Sequence, residues 1–175
     1  MQKLLTALQS TFSMRNLGTL HSFLGLQATY TNHGMHLSQY AYATDLLRKA
    51  AMSDCKPVST PLPTKFFQSV QPDCPYDRPD HYRQITGALQ YLTLTRPDLL
   101  YAVNFLCQHM HAPMQSHYLL LKRVLRYVKG TLTLGLPIHS STLELTGYAD
   151  SDWATNPDDQ RSITGYCALK RCTGT

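Results

Sequence analysis

The sequence predicts an α+β fold in which strands and helices occupy separate stretches of the chain. Three observations predict it. Short β-rich apolar runs, in part alternating with polar residues, fill residues 20–38 and 143–169. Between residues 81 and 129 the apolar positions recur instead at intervals of three and four. A polar stretch punctuated by Pro57, Pro61, Pro63, Pro72, Pro75 and Pro79 separates the first strands from those helices. With 175 residues, 43% hydrophobic and 15% charged, the chain has the composition of a folded protein and not of a disordered one.

Residues 1–12 place Leu4, Leu5, Leu8 and Phe12 on one face of a helix. Two strands follow, Leu20–Thr31 and Gly34–Ser38, joined by an Asn-His-Gly loop suited to a hairpin. A helix over Gln39–Met52 turns Tyr42, Leu46, Leu47 and Ala50 inward and leaves Asp45, Arg48 and Lys49 in water. Residues 55–79 read as a linker long enough to separate two packed units. Beyond it, His81–Thr93, Asp98–His111 and Ser116–Lys129 carry helical periodicity, with Gly130 as the stop signal after the last. Leu143–Ala149 and Ser162–Leu169 read as a closing pair of strands around a turn at Asn156–Asp159.

The net charge of +5 and pI near 9.0 are compatible with nucleic-acid partners. The 5 cysteines form no CxxC pair, so neither a disulfide framework nor a zinc site is expected, and a reducing intracellular compartment fits them. No run reaches the roughly 18 apolar residues of a membrane helix, so a soluble chain is expected. His109 and His111 point to different sides of a helix and make a poor ligand pair.

Four blocks, in order, resemble the polyprotein of copia-type long-terminal-repeat retrotransposons. They are Phe12–Gln27 (FSMRNLGTLHSFLGLQ), Tyr82–Asn104 (YRQITGALQYLTLTRPDLLYAVN), His117–Thr131 (HYLLLKRVLRYVKGT) and Leu145–Ala154 (LTGYADSDWA). The resemblance implies a reverse-transcriptase palm remnant over 1–54, the linker over 55–79, a helical thumb- or connection-like bundle over 80–132, and the first strands of a ribonuclease H domain over 133–175.

The family's polymerase chemistry uses a Tyr-x-Asp-Asp hairpin and paired Mg²⁺ ions. No Tyr-x-Asp-Asp occurs here. The resemblance therefore implies a stretch beginning just downstream of that hairpin and stopping inside the nuclease. Such a stretch is expected to hold no metal and to catalyse nothing alone.

Phe23, Leu24 and Gly25 match the family's primer-grip hairpin, where a glycine lets a nucleic-acid backbone approach. Taken without the resemblance, these residues fit an ordinary hairpin core better, with Gly25 relieving crowding; the resemblance reverses that preference. Lys122, Arg123, Arg126 and Lys129 form a basic ridge that reads either as a solvated helix face or, in a thumb, as a phosphate track. Asp150 resembles the first catalytic carboxylate of ribonuclease H, and Asp152 is a candidate second ligand for Mg²⁺ in that incomplete site. The partners implied are a primer–template duplex and a complementary polymerase fragment. Three functions stay open: an inactive fragment of an RNA-directed DNA polymerase, a non-catalytic nucleic-acid-binding module, and a helical protein-interaction fragment.

Overall fold

A computed structural model of the chain describes residues 2–13, 18–63, 73–139, 144–151 and 164–171. They fall into two compact units, Met1–Thr29 with His36–Leu136, and Tyr30–Met35 with Pro137–Thr175. In chain order the elements are α1 (Gln2–Thr11), β1 (Ser22–Phe23), β2 (Leu26–Thr31), β3 (Gly34–Ser38), α2 (Tyr40–Lys49), α3 (Pro79–Leu92), α4 (Leu100–Gln108), α5 (Gln115–Gly130), β4 (Leu136–His139), β5 (Glu144–Ser151) and β6 (Thr164–Arg171). One sheet runs β1-β2-β3-β4; β5 and β6 pair antiparallel by themselves, from Glu144 opposite Arg171 to Ser151 opposite Thr164. The expected α+β class holds.

Helical periodicity becomes packing in the first unit. Tyr82, Ile85, Leu89 and Leu92 form the inner stripe of α3, and Leu121, Val124, Leu125 and Val128 that of α5; all are buried in one cluster with Val103 and Leu106 of α4. The Tyr82 hydroxyl is buried too, and donates to the Leu106 carbonyl at 2.9 Å.

Three expectations are corrected. The proline-rich stretch does not separate two cores: Ala43, Leu46 and Leu47 of α2 join the same buried cluster as α3, α4 and α5. The linker stays on the bundle because Arg126 Nε donates to the Lys56 carbonyl at 2.7 Å and Arg123 Nη2 to the Thr60 hydroxyl at 2.9 Å. Gly130 is the last residue of α5 rather than the residue beyond its end, and glycine is required there for space. A Cβ there would stand 2.9 Å from Pro57 Cβ. The run 20–31 is likewise not one strand: it breaks at Leu24–Gly25 into a hairpin turn between β1 and β2.

Between α3 and α4 lies a partly buried ionic knot. Arg96 is 2% exposed. Its Nε and Nη2 donate to the two Asp98 carboxylate oxygens at 2.9 and 2.7 Å. Nη1 donates to the Thr131 carbonyl, and Nη2 to the Thr131 hydroxyl, both at 2.8 Å. The Tyr127 hydroxyl donates to Asp98 Oδ2 at 2.9 Å, and its ring lies under the guanidinium at 5.6 Å. The Thr-Arg-Pro-Asp run thus fastens the start of α4 to the end of α5.

Helix α2 ends on a left-handed residue that is not glycine. Ala51 has φ 54°, its N–H bonded to the Arg48 carbonyl at 3.0 Å while Met52 N–H reaches the Leu47 carbonyl at 2.8 Å. Ala51→Gly is expected to raise stability by about 1 kcal/mol by removing the Cβ penalty of that conformation. Urea unfolding of the two proteins checks this, and an unchanged midpoint counts against it.

Candidate nucleic-acid interface

The β1–β2 turn is a two-residue loop. Ser22 faces Gln27 and Phe23 faces Leu26, which leaves Leu24 (φ 48°) and Gly25 (φ 79°) as the loop. Two consecutive positive φ values match the twist of antiparallel strands. Glycine adopts that conformation freely, whereas leucine resists it. The Tyr91 hydroxyl of α3 holds the Leu24 residue in place by donating to its carbonyl. Tyr91 in turn meets the Tyr42 ring edge-on at 5.1 Å, and the Tyr42 hydroxyl donates to the Ala88 carbonyl at 3.1 Å. A Cβ on Gly25 would sit 3.9 Å from Tyr42, an ordinary contact, so glycine is needed for conformation and not for room. The outcome is an apolar turn presented to solvent, with Phe23 58% and Leu24 70% exposed.

Lys122, Arg123, Arg126 and Lys129 lie along α5, but their charges are not equally available. Arg123 and Arg126 hold the linker. Lys122 Nζ lies 5.0 Å over the Tyr118 ring. Among the described residues neither Lys122 nor Lys129 has an acidic partner at ion-pair distance.

In the second unit Asp150 sits in β5 opposite Gly165 and is exposed. Asp152 lies outside the described residues. Among the described residues no group of three or more His, Cys, Asp or Glu is placed to hold a metal. A pair of Mg²⁺ ions needs several converging carboxylates, and the described residues do not fit one.

The structure also brings together residues that sequence reasoning kept apart. His109, at the end of α4, stacks on His117 of α5 with ring centroids 3.8 Å apart. His117 Nδ1 accepts the Met114 N–H at 3.1 Å and so caps α5. Burial, and secondarily His109, pushes His117 down to about 4, while Asp73 acts in the opposite direction. Asp73 caps the same helix: its Oδ2 accepts the Ser116 hydroxyl at 2.5 Å and its Oδ1 the Ser116 N–H at 3.1 Å. The Ser116 hydroxyl bond is the leading cause that holds the Asp73 carboxyl below the usual range. The pairing of residues from α4, α5 and the linker has no local sequence signal.

A family profile described as reverse transcriptase (RNA-dependent DNA polymerase) matches residues 1–64. An uncharacterized mitochondrial protein of Arabidopsis thaliana is 52% identical over 97% of this chain and 70% of its own length. The retrovirus-related Pol polyproteins from transposons RE2 and RE1 of the same plant are 45% and 44% identical over 93% and 91% of this chain. The chain spans only 11% of each of these two polyproteins. No solved structure matches it significantly. No helix among the described residues is long and apolar enough to cross a membrane. With 45% and 44% of its aligned residues shared with two transposon Pol polyproteins over 93% and 91% of its length, and with the ordered blocks quoted above, the chain belongs to the copia-type retrotransposon Pol family as a reverse-transcriptase-like fragment.

Proposed function

We propose that this chain grips a primer–template duplex for a transposon polymerase and performs no chemistry by itself. The observation that carries the reading is the Phe23–Leu24–Gly25 turn. An exposed leucine held at positive φ by a tyrosine from another element is a conformation that costs stability, and such conformations concentrate where a backbone must meet a ligand. The ridge of α5 supplies the charge. Absence of Tyr-x-Asp-Asp from the sequence favours the non-catalytic part of the reading. RNA-directed DNA synthesis, ribonuclease H cleavage and their Mg²⁺ ions then belong to the parent polyprotein.

Fluorescence anisotropy with a labelled primer–template duplex tests this. If only Lys122 and Lys129 contact phosphate, log affinity falls against log salt with a slope of about −1.8; if Arg123 and Arg126 leave the linker to join them, the slope is about −3.6. Either slope supports duplex binding, and its size says whether the linker clamp opens. A flat response, or no binding in low salt, sinks the reading. Retained affinity in a Phe23→Ser, Leu24→Ser double variant removes the turn from it.

A protein-docking function has one specific observation in its favour: Leu94, Leu100 and Tyr101 are 58%, 56% and 69% exposed around the start of α4. Concentration-dependent association in sedimentation experiments without nucleic acid, abolished by Tyr101→Ser, would favour it.

A further inference from the structure

A cavity of about 630 Å³ opens where the end of α2, the start of α3 and the middle of α5 meet. None of the roles assigned above uses it as a site. Three cations from three elements line it: Lys49, Arg78 and Lys122. One carboxylate, Asp54, shares the lining, so the cavity carries a clear positive excess. Lys49 is partly engaged, its Nζ 2.8 Å from Asp45, an exposed surface pair of small worth. His81 also lines the cavity, and its Nδ1 is buried without a hydrogen-bond partner among the described residues. Arg78 is the N-cap of α3 and makes no side-chain cap, so the positive end of a 14-residue helix adds to the field. Asp80 in that first turn is paired with Arg83 at 2.6 Å, which limits its opposition.

The remaining wall is apolar and aromatic. Tyr118 stacks on Tyr76 at 4.1 Å, with Lys122 over its face. Ala50, Ala51 and Met52 complete it. The volume is ample for a nucleotide-sized group. A nucleic-acid backbone is a line of monoanions and is met by a line of cations. Cations converging on one concave site instead suit a single dianion.

We propose that this cavity binds a terminal phosphate, the dianionic monoester of a nucleotide or of a strand end. Arg78 supplies a planar fork to two phosphate oxygens, and Lys122 and Lys49 supply point charges. This site does not depend on the duplex reading, since only Lys122 is common to both.

Cys55 provides the test, because it lines the cavity as a free thiol, while the exposed Cys74 does not line it. The rate of iodoacetamide alkylation at each is followed by peptide mass in the full chain, with inorganic phosphate replacing chloride at constant ionic strength. Phosphate is expected to slow Cys55 and leave Cys74 unchanged. Equal effects at both thiols, or no effect at Cys55, overturn the site. Deoxyadenosine 5′-monophosphate is expected to protect where deoxyadenosine does not. A 5′-phosphorylated oligonucleotide is expected to protect where its 5′-hydroxyl counterpart does not; equal protection by both overturns the terminal-phosphate assignment. Arg78→Gln and Lys122→Gln are each expected to raise the phosphate concentration needed by about tenfold, the worth of one charge-assisted contact. Lys170→Gln, in β6 of the second unit and not among the lining residues, is expected to change nothing. Loss of protection in Lys170→Gln, or its persistence at the wild-type phosphate concentration in Arg78→Gln when circular dichroism shows that variant folded, overturns the proposal.

Discussion

Arg96→Ala is expected to destabilise the first unit by about 2–3 kcal/mol, less than for a fully buried pair, because the guanidinium is buried while the Asp98 carboxylate it leaves behind is open to water. Arg96 makes four hydrogen bonds, to both Asp98 oxygens and to the carbonyl and hydroxyl of Thr131. With Arg96 gone, the Asp98 carboxylate keeps the Tyr127 hydroxyl and its own backbone N–H, while the Thr131 carbonyl loses one of two donors and retains the Leu134 N–H at 3.1 Å. Arg96→Lys does not restore the arrangement, because an ammonium cannot present a flat fork to a carboxylate while also reaching Thr131. The pair also holds Asp98 below the usual carboxylate range, against an opposing desolvation that is the largest influence on it. Urea unfolding of wild type, Arg96→Ala, Arg96→Lys and Thr131→Val measures these costs. A loss below about 1 kcal/mol in Arg96→Ala would show the knot to be no stronger than a surface pair.

Stability is expected to fall by about 1–2 kcal/mol as pH drops from about 6.5 to about 4, on account of His117. Its value is 6.5 in an ordinary setting and about 4 in the fold. Between those limits the unfolded chain binds more protons than the folded one. The contribution is therefore complete above about 6.5 and is lost on acidification through the folded value. The full shift corresponds to about 3 kcal/mol, and the ring keeps enough contact with water that screening reduces it to the smaller figure. His109 is depressed by burial and adds to the loss. Asp73, the carboxylate near His117, is held low and titrates below this window. His117→Asn keeps an acceptor for the Met114 N–H that no proton can occupy. Urea midpoints of both proteins from pH 7.5 to 4.5 provide the check; an equally steep decline in the variant sinks the assignment.

Much of the fold could be read in advance, for reasons that differ by element. Helices α3 and α5 announce themselves because their inner residues recur at helical spacing and tertiary packing simply uses that stripe. The turn at Leu24–Gly25 hides inside Phe-Leu-Gly-Leu, which reads as one extended run because leucine argues against positive φ. Strand β4 is four residues long and contains Pro137, too little for a pattern. The basic ridge was visible as spacing, but nothing in α5 announces that Arg123 and Arg126 face the linker. Arg96 looks like a surface residue in a polar run until Thr131 and Tyr127 are brought to it. The His109–His117 stack and the cavity between α2, α3 and α5 join distant segments, and no local pattern encodes such meetings.

The long-range clamps of the first unit share a feature: the acceptor is repeatedly a main-chain carbonyl. Tyr42 takes that of Ala88, Tyr82 that of Leu106, Tyr91 that of Leu24, Arg96 that of Thr131 and Arg126 that of Lys56. Every amino acid carries this oxygen, so the clasped position can change its side chain and still be clasped. The clasping residue has no such licence. Mutational tolerance should therefore be lopsided where the clasped side chain is itself exposed, generous at Lys56 and narrow at Arg126, even though the two members share one bond.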